Sequence, residues 1–183
     1  MLADSKTVFW YVLFATNGKA AKINDYLKTV GIESFFPICY RDKRIRNTQL
    51  FSCKLQPLIR NFLFVKSSRC CLEPHLQEIK LRFAISSDLY YRYLGSKEII
   101  VVPEKQMQSF IAVVRRSQER TIYLSNDEIN LEKGTKIRII GGALEGVEGI
   151  FIKIKGSNRV VVSLPNLFSV ATAFIPTRFI LPL

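Results

Sequence analysis

The stretch from Lys133 to Phe151 narrows what this chain can fold into more than any other. Two alternating segments, Lys136–Ile140 and Gly149–Lys155, flank a turn that holds Gly141, Gly142 and Gly146. Glycine reaches positive φ without steric penalty, so the pattern reads as two short strands joined by a tight, shaped loop. Three more strand-like runs follow, Arg159–Leu164, Ser169–Ile175 and Arg178–Leu181, with turns at Gly156-Ser157-Asn158 and Pro165-Asn166. Ile137, Ile139, Ile150, Ile152, Ile154 and Val160–Val162 are β-branched and alternate or cluster as a strand core. Five short strands in so little chain predict a small barrel.

At 183 residues, 48% of them hydrophobic, the chain can hold one large or two small domains with a real core. No apolar run approaches the ~20 residues of a membrane span. Asp4 and Lys6 lie in polar surroundings within Met1–Thr16, so no leader is expected and the expectation is a soluble, cytoplasmic, monomeric protein without a membrane partner. Of the net charge of +12, residues 1–126 carry +10 and residues 127–183 only +2. Such asymmetry points the first part at a polyanion, most often nucleic acid, although solubility alone also accounts for surface charge. Cys39, Cys53, Cys70 and Cys71 show no CxxC spacing and have only His75 for company, which fails the pattern of a zinc site. They read as reduced structural thiols.

Ahead of the barrel, Val8–Ala15 is a strand-like run broken by Asn17-Gly18. Ala20, Ile23, Leu27 and Val30 recur at helical spacing until Gly31. Glu33–Tyr40, a charged tip at Arg41–Asn47 and a return strand over Ile59–Lys66 predict a long hairpin. Glu73–Lys80 predicts a short helix with Pro74 in its first turn. Strands are expected at Phe83–Leu89 and Glu98–Val102, then a helix opened by Pro103 in which Met107, Phe110, Ile111 and Val114 share a face. The polar, aperiodic segment Arg115–Glu132 reads as a linker.

The glycine loop and its flanking strands resemble the KOW motif of SH3-like barrels in ribosomal and transcription-elongation proteins. Three further signals fall in order: Trp10-Tyr11-Val12-Leu13 opening the first strand, Pro57-Leu58-Ile59-Arg60-Asn61-Phe62-Leu63-Phe64-Val65, and Val101-Val102-Pro103 before the third helix. Together they resemble the NusG family of transcription elongation factors over nearly the whole chain. The details look closer to specialised paralogues such as RfaH or the UpxY factors of capsule operons: the chain is short, its first domain has no insertion, and Asn61 stands where general members have glycine. The resemblance implies an α+β architecture, with an α/β sandwich on an antiparallel sheet at residues 1–118, a linker at 119–132 and an SH3-like barrel at 133–183. It implies an elongation and antitermination factor that makes and breaks no bond and needs no cofactor or metal. Its first domain would dock on the clamp helices of RNA polymerase and touch the exposed non-template DNA strand. Its barrel would meet a ribosomal protein or a termination factor.

By the same resemblance, Phe14, Phe62 and Phe64 belong to the polymerase-binding surface, with Tyr90, Tyr91 or Tyr93 at its margin. Ordinary core packing competes for these aromatics. The predicted helix over 18–30 carries Lys19, Lys22, Tyr26 and Thr29 on one face, where lysines can neutralise phosphate and Tyr26 can stack on an unpaired base; a merely solvated face competes. Arg82 aligns with a further family DNA contact, and Thr16 departs from the best-known paralogue. Arg41, Lys43, Arg44 and Arg46 at the hairpin tip can approach DNA or polymerase. Gly141, Gly142, Gly146 and Gly149 are structural first and a partner contact second. A ribosome-associated or RNA-binding KOW protein is the alternative. An enzyme is disfavoured, because the chain has no GxxxxGK[ST], no nucleophile elbow, no paired carboxylates and one histidine.

Overall fold

The computed structural model describes residues 6–44, 51–116, 122–124, 134–154, 156–164, 167–172 and 174–183, and of residues 40–44, 51–55, 122–124 and 154 only the backbone. In chain order the elements are β1 (Val8–Phe14), α1 (Lys19–Thr29), β2 (Glu33–Phe35), β3 (Ile38–Arg44), β4 (Phe51–Pro57), β5 (Phe62–Ser68), α2 (Arg69–Arg82), β6 (Val101–Val102) and α3 (Glu104–Arg116). They continue with β7 (Ile122–Leu124), β8 (Thr135–Ile139), β9 (Glu148–Ile154), β10 (Ser157–Leu164), β11 (Phe168–Ala171), a 3-10 turn at Thr177–Phe179, and β12 (Ile180–Pro182). Contacts divide the chain into two compact units, Met1–Pro37 with Ile59–Glu104, and Ile38–Leu58 with Lys105–Leu183.

The first unit is built on a four-stranded sheet in the order β2-β5-β1-β6, with every described pairing antiparallel. β1 and β5 run side by side from Val8↔Ser68 to Phe14↔Phe62. Alternation then sorts the side chains. Tyr11, Leu13, Leu63 and Val65 enter one core with Ala20, Ile23 and Leu27 of α1 and Leu72, Leu76 and Ile79 of α2. The opposite parity carries Trp10, Val12 and Phe64, all at most 1% exposed. On that side Trp10 Nε1 donates to Glu104 at 2.9 Å, and Lys66 Nζ reaches the other Glu104 oxygen at 3.0 Å.

Four expectations need correction. The long hairpin is two nested pairs, β2 with β5 and β3 with β4, interrupted where Pro37 and Leu58–Asn61 leave the ladder. Residues 83–89 form no strand; between α2 and α3 lie only the isolated bridges Leu13↔Tyr90 and Arg92↔Ile99 and the short β6. Ala84 takes φ 49°, which ends the helix and turns the chain. The linker contains β7, which pairs with β11; its remaining residues, apart from Arg115 and Arg116 of α3, lie outside the described ones. Lastly, α2 begins four residues before Glu73, because Ser68 caps it by accepting the Cys71 N–H. Pro74 therefore sits in the helix interior rather than its first turn.

The second unit contains a six-stranded antiparallel sheet in the order β12-β8-β9-β10-β11-β7, a β-rich domain consistent with the expected SH3-like arrangement. Ile137, Ile139, Val160, Val161, Val162 and Val170 are buried in it. Among the described residues, β3 and β4 pair only with each other. On α3, Met107, Phe110, Ile111 and Val114 are all buried, as their spacing predicts.

Pro74 lacks the N–H that would bond the carbonyl four residues back, and interior proline costs a helix about 3 kcal/mol. We expect Pro74→Ala, an exposed position, to stabilise the protein by about 1–3 kcal/mol, read as a raised urea midpoint at unchanged slope. An unchanged or lowered midpoint would show that the ring contributes packing that offsets the missing bond.

Candidate functional site

The ends of β1 and β5 bring together an aromatic cluster. Phe14 and Phe62 are cross-strand partners with ring centroids 5.2 Å apart. The Leu13↔Tyr90 bridge then delivers Tyr91, whose ring stands 5.8 Å from Phe14 and 5.0 Å from Phe62, nearly perpendicular to the latter. All three are only half-buried. Such edge-to-face arrangements fix ring orientation and leave part of each face presented. Phe64, two residues along, is fully buried and cannot present its ring, so this part of the expected surface is core.

Tyr90 turns to the other side of the sheet. It is 6% exposed, packs on Tyr11 at 5.5 Å and belongs to the helix-side core, and burial pushes its hydroxyl well above the ordinary phenol range. Tyr93 is half-buried in the turn beyond. That turn is pinned from within: the Arg92 guanidinium donates to Asp88 Oδ2 at 3.0 and 2.6 Å and to the Lys97 carbonyl, and the Tyr90 N–H donates to Asp88 Oδ1 at 3.2 Å.

On the basic face the structure separates the expected residues. Lys22 and Thr29 are exposed, and Thr29 Oγ1 donates back to the Tyr26 carbonyl at 2.6 Å. Lys19 is half-buried with its Nζ on the Ala84 carbonyl at 3.1 Å. Tyr26 does not join them. Its ring is 6% exposed, and its hydroxyl lies 2.5 Å from Glu78 Oε2 and 3.2 Å from His75 Nδ1. The expectation of base stacking is thus corrected: Tyr26 faces α2 because Glu78 and His75 satisfy its hydroxyl there. Burial, reinforced by the Glu78 bond, raises its pKa. Arg82 is exposed, and its guanidinium lies 5.4 Å from the Tyr26 ring centre and 6.0 Å from that of Phe83. Sequence reasoning missed His75 and Glu78 as the anchors of this arrangement; their placement on α2 opposite Tyr26 leaves no periodic signal. It also missed Asn24, which is buried and receives the Ser34 hydroxyl at 3.0 Å. The side chains of Arg41, Lys43 and Arg44, and all of Arg46, lie outside the described ones.

The glycine loop of the second unit is closed by short-range bonds, including Gly146 N–H to the Ile139 carbonyl at 2.8 Å and Ile139 N–H to the Val147 carbonyl at 2.9 Å. Gly142 and Gly146 take φ 81° and 86°. Gly149 is required for another reason: a Cβ there would meet the Val161 carbonyl oxygen at 2.5 Å. Gly141 lies against the Phe179 ring. Within the same unit the loop rests on α3. Ser109 Oγ accepts the Glu148 N–H at 3.2 Å, and Arg116 donates to the Ala143 carbonyl.

Among the described residues, no group of three His, Cys, Asp or Glu is placed to hold a metal, and no helix is long and apolar enough to cross a membrane. A family model described as transcription termination factor NusG matches residues 9–111. No curated protein matches the sequence. Among solved structures, the chain is similar to one titled as domain interaction in Thermotoga maritima NusG, at 15% identity and a TM-score of 0.44, over 97% of this chain and 98% of that one.

The Asp88–Arg92 bonds make a pH prediction. Partial burial works against the charged carboxylate, but the Arg92 guanidinium and the Tyr90 N–H outweigh it and hold the carboxyl below its ordinary 3.8. A depressed folded-state pKa adds stability above the unfolded value and loses it as pH falls through the folded one. We expect the turn to hold at neutral pH and the Arg92 Nε–H resonance to titrate with a midpoint below 3.8. A midpoint at or above that value would mean the fork does not form in solution.

Proposed function

The chain belongs to the NusG family, whose members are non-enzymatic transcription factors of elongation and termination that generally bind RNA polymerase, and from that premise we propose that it is an operon-specific elongation and antitermination factor. It docks on the polymerase clamp helices through Phe14, Phe62 and Tyr91 and contacts the exposed non-template DNA strand through Lys19, Lys22 and Arg82. Its barrel supplies the contact to a ribosomal protein or termination factor.

The observation that carries the docking proposal is the aromatic cluster. Three half-exposed rings in mutual contact, held by strand register and a backbone bridge, make a stiff apolar patch at one end of a sheet. Binding energy concentrates in such anchors, at about 2 kcal/mol or more for each strong one. Phe64 supplies the control, since it is core. We expect Phe14→Ala with Tyr91→Ala to abolish polymerase capture and antitermination while the chain stays folded, whereas Phe64→Ala loses roughly 3–5 kcal/mol of stability. A folded double variant that still captures polymerase would sink the docking site, and capture of ribosomes instead of polymerase would favour the ribosome-associated alternative.

The DNA proposal rests on the +10 carried by residues 1–126 and on cations left accessible on α1 and at the end of α2. Each phosphate contact to a single strand adds about 0.7 to the slope of log affinity against log salt. We expect Lys22→Ala with Arg82→Ala to weaken single-stranded DNA binding and to flatten that slope by about 1.4. An unchanged slope would show that these side chains do not meet phosphate.

A further inference from the structure

We propose that the Tyr26 hydroxyl is a positioning group: it occupies the Glu78 carboxylate and so keeps the Arg82 guanidinium unpaired, ready for an oxygen anion from outside the chain. That the anion is a backbone phosphate rests on the DNA reading of Arg82 given above.

The observation is an ion pair that does not form. Glu78 and Arg82 stand four residues apart on α2, the spacing at which helical side chains are neighbours, with the acid N-terminal to the base, the more favourable order. At the opening of the same helix, Arg69 and Glu73 have that spacing in the less favourable order, and they pair at 3.3 Å. Arg82 has no ion pair or hydrogen bond among the described residues. Its guanidinium lies over the Tyr26 and Phe83 rings instead.

Glu78 has a stronger partner than Arg82. Tyr26 is 6% exposed, and a hydroxyl so placed needs a hydrogen bond. It donates to Glu78 Oε2 at 2.5 Å, the length of a bond from a hydroxyl to an ionised carboxylate. Glu78 and Arg82 are both exposed, and an ion pair between exposed side chains contributes little against the side-chain freedom it removes. The buried hydroxyl therefore takes the carboxylate. His75 completes the hold: with the hydroxyl hydrogen on Glu78, the Tyr26 oxygen accepts from the Nδ1–H tautomer at 3.2 Å. One phenol thus acts at both ends. Its hydroxyl removes the competing anion, and its ring seats the cation, whose N–H fork stays open.

The test is made on the full-length chain with Tyr26→Phe, which keeps the ring and deletes the hydroxyl. Glu78, released, then pairs with Arg82: the Arg82 Nε–H resonance shifts, and Glu78→Gln added to Tyr26→Phe returns it. On a labelled oligothymidine, Tyr26→Phe weakens binding and flattens the slope of log affinity against log salt by about 0.7, the share of one single-strand phosphate. Glu78→Gln restores that slope in the Tyr26→Phe background and leaves it nearly unchanged in the unaltered chain, so the two substitutions are coupled. An unmoved Arg82 resonance in folded Tyr26→Phe would overturn the proposal, as would an equal gain from Glu78→Gln in both backgrounds. Whether or not Tyr26→Phe folds, the urea midpoints of Glu78→Gln, Arg82→Ala and their double variant must add in the unaltered chain; coupling there means that the two side chains already pair, and overturns it too. Should Arg82→Ala leave DNA affinity and slope unchanged while the resonance shifts as expected, the DNA reading of Arg82 fails and the competition for Glu78 stands.

Discussion

The antiparallel ladder between β1 and β5 is the constraint on which the first unit depends. Seven consecutive residue pairs fix it, and both strands are buried over most of their length. Because side chains alternate strictly, a slip of one residue would send Tyr11 and Leu13 away from the helices and bring Trp10 and Val12 toward them. The register that avoids this also sets Phe14 opposite Phe62 at one end and Val8 opposite Ser68 at the other. The proposed docking patch and the helix cap are thus two consequences of one hydrophobic sorting. Neither needs to be specified by loops.

Periodicity carried the sequence reading furthest where burial is one-sided. The apolar stripe of α3 and the alternation of β8 translate directly into buried positions. It failed where a single polar atom decides. Nothing in the spacing of Leu72, Leu76 and Ile79 requires α2 to begin at Arg69; the Ser68 hydroxyl does, and it outweighs a proline six residues later. Phe83–Leu89 looks like a strand by composition, yet Ala84 takes a left-handed φ at the end of the helix and the segment leaves the sheet. Asn61 became intelligible only with its dihedral: at φ 71° the position favours glycine and tolerates asparagine.

The glycine loop shows the same distinction from the other side. Its four glycines were legible as a turn, but they answer different demands. Gly142 and Gly146 supply positive φ, whereas Gly149 admits the β10 backbone against β9 and Gly141 admits the Phe179 ring. Only the first demand can be inferred from a local pattern. The others depend on strands that arrive ten or more residues later. Ser109 is similar: a serine on the buried side of α3 has no meaning in the sequence until the Glu148 N–H is found in need of an acceptor.

Tyr26 changes how the basic face must be understood. Read as a helical wheel, it stood with Lys19, Lys22 and Thr29 as a platform for a base. In the fold it is held inward by Glu78 and His75, and its ring is the surface over which the Arg82 guanidinium lies. A guanidinium on an aromatic face keeps its edge N–H groups free for oxygen acceptors while its plane is immobilised. On the proposed DNA-binding reading, the ring would act on nucleic acid through a cation rather than by stacking. Recognition of phosphate needs only that edge and the Lys22 ammonium, and neither distinguishes one base from another. On that reading, sequence preference would come from groups other than these, or from the shape of the bound strand.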